Sequence, residues 1–77
     1  MREPLESNWF TQLPDMQKPL LNHLVREGCH VEAGHDSDSR VRVRVERSGR
    51  VLGESVAETL ELAFAGAYML ADRRLHF

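Results

Sequence analysis

The sequence predicts an α+β domain, two-layered and ordered αβββα, and three observations carry that prediction. Arg40-Val41-Arg42-Val43-Arg44-Val45-Glu46 alternates with a period of two, the pattern of a strand with one buried face. Ser48-Gly49 follows directly as a hairpin turn. Val56, Leu60, Ala63, Phe64, Ala67, Leu70 and Ala71 recur at helical spacing and make one apolar face. A sheet with valines on one side needs a cover, and a helix before it and a helix after it supply one.

Residues 1–14 contain Pro4 and Pro14, show no period and read as an extended N-terminal arm; residues 15–77 form the single αβββα domain. Trp9 and Phe10 interrupt the arm. Rings of that size either fold back over the core or serve as an aromatic anchor for a partner. Asp15 reads as the N-cap of a first helix over residues 16–27, with Pro19 in the opening turn and Gly28 as the stop. Leu20, Leu21, Leu24 and Val25 give it an apolar stripe.

Cys29-His30-Val31-Glu32-Ala33 alternates weakly, so a short strand is expected there, followed by a loop over residues 34–39. In the long strand, Val41, Val43 and Val45 face inward while Arg40, Arg42, Arg44 and Glu46 face outward. A three-residue loop, Arg47-Ser48-Gly49, sets Glu46 against Arg50, Val45 against Val51 and Arg42 against Glu54, which pairs charge with charge and apolar with apolar. Ser55 and Glu58 have the form of a capping box opening the second helix, and Arg73 and Arg74 suit its C-terminal dipole.

Size and composition bound the function. At 77 residues, 42% hydrophobic and 29% charged, the chain is an ordinary small globular protein. A chain this short buries only roughly 60–65% of its unfolded surface. A net charge of −2 argues against a broad nucleic-acid-binding surface. The single Cys29 permits no internal disulfide, which points to a cytoplasmic setting. No run of about 18–20 apolar residues is present to span a membrane, and the first residues lack a signal-like apolar core.

No G-x-S-x-G, P-loop or H-E-x-x-H occurs, so no catalytic residues are assigned and the chain is read as not an enzyme. Cys29, His30, His35, Asp36 and Asp38 are the only grouped metal-ligand types. Their spacing matches no standard zinc site, and His35-Asp36-Ser37-Asp38-Ser39 is read as a solvated turn, with neither metal nor cofactor expected. A metal-dependent activity at His30, His35 and Asp36 is the third-ranked alternative.

Two surfaces remain. Arg40, Arg42 and Arg44 form a guanidinium row suited to phosphates or to a carboxylate-rich partner, unless they only protect an exposed sheet face. Thr59, Leu62, Gly66, Met69 and Arg73 lie away from the core face of the second helix; Leu62 and Met69 are expected to be exposed beside the small residues Ala65 and Gly66, which would admit a second helix.

The stretch Glu58-Thr59-Leu60-Glu61-Leu62-Ala63-Phe64-Ala65-Gly66-Ala67, after a strand hairpin, resembles the final helix of the phage ABA-sandwich family of small phage and prophage proteins. That resemblance covers about the last forty residues and implies helices flanking a short antiparallel sheet, an accessory phage function and no catalytic residues. Leu20-Leu21-Asn22, Val41-Arg42-Val43-Arg44-Val45 and Val51-Leu52-Gly53-Glu54 are similar to parts of double-stranded-RNA-binding domains, which share the element order. Those domains open their last helix with lysines, where this chain has the acidic Ala57-Glu58-Thr59-Leu60-Glu61. The expected function is therefore a non-enzymatic interaction or regulatory protein, phage- or prophage-encoded, that binds a host protein, such as one serving antiviral defence. A protein partner and a homodimer are both expected, with Trp9, Phe10, Arg40, Arg42, Arg44, Leu62 and Met69 as contacts. The alternative is a nucleic-acid-binding module built on the arginine strand.

Overall fold

The computed structural model describes residues 3–4, 8–36 and 38–76. In chain order it has strand β1 (Glu3–Pro4), a 3-10 helix (Trp9–Gln12), helix α1 (Lys18–Arg26), strands β2 (His30–His35), β3 (Val41–Arg47) and β4 (Arg50–Ala57), and helix α2 (Leu60–His76). The fold is α+β: β2, β3 and β4 make a three-stranded antiparallel sheet between two helices in the order αβββα. The two-residue β1 is added beside β2, giving the strand order β1-β2-β3-β4. No helix of the described residues is long and apolar enough to cross a membrane.

The arm is not uniformly extended. Residues 9–12 wind into the 3-10 helix, and Trp9 is buried in the core with Leu13. The start of α1 also differs from expectation. Asp15 does not cap it; Lys18 N–H reaches the Asp15 carbonyl at 3.3 Å in a preceding turn, and the helix begins at Lys18 with Pro19 in its first turn. At the other end, Gly28 N–H donates to Val25 O and Cys29 N–H to Leu24 O, each at 3.0 Å. That is a Schellman stop, and Gly28 takes the left-handed φ of 82° it requires. Leu24 is fully buried, whereas Val25, counted in the apolar stripe, is exposed.

Val41, Val43 and Val45 point into the core as their alternation demands, opposite Val31 and Ala33 of β2. The hairpin is tighter than the charge pairing suggested. Ser48 (φ 54°) and Gly49 (φ 78°) form a two-residue turn between Arg47 and Arg50. A bulge follows: Glu46 opposes Val51 but Val45 opposes Gly53, so Leu52 is the extra residue and Arg44, not Arg42, faces Glu54.

That shift explains how the second helix packs. Gly53 lies at an inward position beneath α2, where an added Cβ would collide with the Ala67 carbonyl oxygen and stand 2.9 Å from Ala71 N. Only a residue without a side chain lets helix and strand come so close. Gly66 does the same from the helix side, since a Cβ there would come 2.9 Å from Ser55 Cβ. Gly66 thus serves the internal packing of α2 on β4 rather than a second helix.

The capping box also gives way. Ser55, Val56 and Ala57 continue β4 and pair with Val43, Arg42 and Val41, satisfying the backbone of β3 along its length. Thr59 caps instead, its Oγ1 accepting the Leu62 amide at 3.2 Å. From there Ala63, Phe64, Ala67 and Ala71 are fully buried, with Leu60, Tyr68 and Leu75 at the margin, while Val56 and Leu70 are exposed.

Candidate functional site

The outer face of the sheet is a charge lattice. On β3, Arg42 and Arg44 project away from the core; register places Glu32 of β2 beside Arg44 on one side and Glu54 of β4 on the other. Arg44 Nε donates to Glu54 Oε2 at 2.9 Å and its Nη1 to Glu46 Oε1 at 3.4 Å. Arg42 Nη2 donates to Asp36 Oδ1 at 2.9 Å and Nη1 to Glu54 Oε2 at 3.4 Å. The Arg42 side chain is 19% exposed, and its Nε is buried without a hydrogen-bond partner.

These contacts fix the electrostatics. The hydrogen bond from Arg44 and the charge of Arg42 hold the Glu54 carboxyl below its usual range, against the opposing effect of desolvation. The same bond from Glu54 raises Arg44. Two guanidiniums lie among four carboxylates, Glu32, Asp36, Glu46 and Glu54, so this face is no concentrated source of positive potential. Arg40 stands apart: it precedes β3, is exposed and sits 3.5 Å from Asp38.

A different surface is apolar. Leu62 and Met69 are 59% and 64% exposed, one on each side of Gly66, and Leu70 is exposed next to them. The close approaches of Gly66 to Ser55 and of Gly53 to Leu70 put the Gly66–Leu70 flank of α2 above β4, with Leu62 and Met69 further round the helix, away from the sheet. Among the described residues β4 is the last strand of the sheet, so its outer backbone edge runs eight residues, Arg50–Ala57, with no described strand beside it. Leu70 thus lies on the β4 side of α2, and Leu62 and Met69 extend the exposed apolar surface round the helix.

Of the aromatic pair, Trp9 is 8% exposed and Phe10 46%, their rings meeting edge to face at 6.3 Å. Trp9 is thus a core residue and is not available as a partner anchor; Phe10 alone reaches the surface. The grouped ligand types do not converge. His30 and His35 lie five positions apart on β2 and so project to opposite faces. His30 is 3.6 Å from Glu32, and Asp36 engages Arg42. Cys29 is buried, and that burial pushes its thiol pKa up, opposite to what a nucleophile needs.

Among the described residues, the side chains that do converge as metal-ligand types are His23 of α1 with Asp72 and His76 of α2, whose ligand atoms all lie within 4.8 Å of one another. His76 Nε2 is 3.1 Å from Asp72 Oδ1, and the His23 and His76 rings stack at 6.3 Å and 8°. Reasoning from sequence passed over this group. Its one local signal is Asp72-x-x-x-His76 on a helical face, and the third member arrives only through the packing of α1 beside α2.

Comparison with known proteins finds no family model, no curated protein and no solved structure that matches this chain.

Proposed function

We propose that this chain is a non-enzymatic interaction protein that docks on another protein through the open edge of β4 and the adjoining flank of α2. The observation that carries the reading is the open edge of β4 with the exposed Leu70 of α2 above it, continued round the helix by Leu62 and Met69. A strand edge supplies backbone hydrogen bonds to an incoming strand, and the apolar side chains above it add burial that fixes the partner's position. Methionine suits such a surface because its unbranched side chain adapts to the contact. A small single-core domain also gains much of its stability from association.

The arginine row contributes differently from what its sequence suggests. Arg42 and Arg44 are engaged by carboxylates of their own sheet, so a phosphate backbone would have to displace Glu54, Glu46 and Asp36 to reach them. This favours a protein target over nucleic acid. The buried Cys29 and the divided His30 and His35 support a role without catalysis.

The test is capture on immobilised protein, comparing the wild type with Leu62→Glu/Met69→Glu and with Arg40→Glu. The reading predicts one defined protein, either a second copy or a host protein, retained by the wild type and by Arg40→Glu and lost by the double variant. Identical retention by all three, or a monomer that retains nothing, overturns it.

A further inference from the structure

We propose that His23, Asp72 and His76 form a binding site for a borderline divalent transition-metal ion, of which zinc is the representative, and that the bound ion clamps α1 to the end of α2. The donor set is two imidazoles and one carboxylate, a combination suited to such ions and leaving further positions open.

Geometry supports this first. The 3.1 Å between His76 Nε2 and Asp72 Oδ1 is close to about 3.3 Å, the ligand–ligand edge of a tetrahedron with bonds of about 2.0 Å. Asp72 and His76 hold that spacing because they are one helical turn apart. The donor of His23 lies within 4.8 Å of both, so a side-chain rotation of order 1 Å completes the triad.

The packing of the two helices bears on it second. His23 belongs to the last turn of α1 and His76 to the last turn of α2. Both helices therefore end near this point, and the favourable ends of their dipoles are offset by Arg26, Arg73 and Arg74 in the same last turns, so the donor geometry carries the site. Asp72 adds a carboxylate one helical turn before His76. Two imidazoles and a carboxylate thus come together from parts distant in sequence.

The structural consequence follows from how α1 is held. At its start, Gln17 Nε2 donates to the Glu61 carbonyl of α2 at 3.0 Å. An ion at His23 would add a second tie near its end, in a domain whose lone cysteine allows no internal disulfide. Asp72 and His76 lie three and seven residues beyond Met69 on α2, so the site borders the end of that exposed stripe, and its zinc titration is read separately from partner capture.

The experiment is calorimetric titration of the full chain, made without a histidine tag, with zinc alone, together with the visible spectrum of the cobalt form. Expected are one zinc per chain, tetrahedral cobalt bands, and a higher melting temperature with zinc than without. His23→Ala and, separately, Asp72→Asn each weaken binding at least about tenfold, while His30→Ala leaves it unchanged. Asp72→Asn keeps nearly the same shape, so lost binding there is not lost folding. Absence of stoichiometric zinc on the wild type, or undiminished binding in His23→Ala and Asp72→Asn, overturns the proposal.

Discussion

Glu54 accepts the Arg44 Nε–H at 2.9 Å across the β3–β4 hairpin, and the same carboxylate oxygen also receives Arg42 at 3.4 Å. One carboxylate thus holds two like charges side by side on a strand face, where without it they would repel. Glu54→Gln is expected to lower the melting temperature by a few degrees at neutral pH. Its folded pKa lies below the ordinary value, so the contribution is complete above the unfolded pKa and is lost as pH falls through the folded one. Melting curves of wild type and variant should therefore converge in acid, below about pH 4. A gap that stays constant to low pH would show that the charge contributes nothing.

Gly53 is the position least able to change. A methyl there meets backbone atoms of α2, the Ala67 carbonyl and the Ala71 amide, which cannot rotate away as a side chain could. Gly53→Ala is expected to cost about 2–3 kcal/mol in denaturant unfolding, despite the general gain from replacing glycine in a strand. A neutral or stabilised variant would mean that α2 stands further from β4 than described.

Cys29 should be a slow thiol. Burial raises its pKa, an effect that the charge of Arg47 opposes and that of Glu27 reinforces. Labelling by a disulfide reagent is expected to be about two orders of magnitude slower in the native protein than in denaturant. Comparable rates would place the thiol at the surface.

Much of this architecture can be read from the chain because its signals are local. The valine–arginine alternation of β3 and the buried Ala63, Phe64, Ala67 and Ala71 of α2 follow from period alone, as do the exposed Leu62 and Met69. What escaped depends on contacts between elements. The register with Val51 opposite Val45 looked favourable pair by pair, but it ignored the need for Gly53 beneath the helix. Ser55 with Glu58 and Thr59 with Leu62 are competing helix starts, and the pairing of residues 55–57 with β3 decides for the second. Trp9 reads first as a ring folded back over the core, where it lies, and second as a partner anchor. Glu54 is legible as a partner of the arginine row through the hairpin, facing Arg44 rather than Arg42, whereas Asp36 reaches Arg42 from a segment that the hairpin does not place. His23, Asp72 and His76 meet only once two helices have packed.

The central claim is that β4 is a docking edge, and amide hydrogen exchange on the complex retained by the wild type measures it directly. The account predicts that amides within Arg50–Ala57 exchange at least about tenfold more slowly in the complex than in the free chain, with Leu62 and Met69 protected alongside. Unchanged exchange throughout β4, with new protection confined to the face of Arg42 and Arg44, would contradict it.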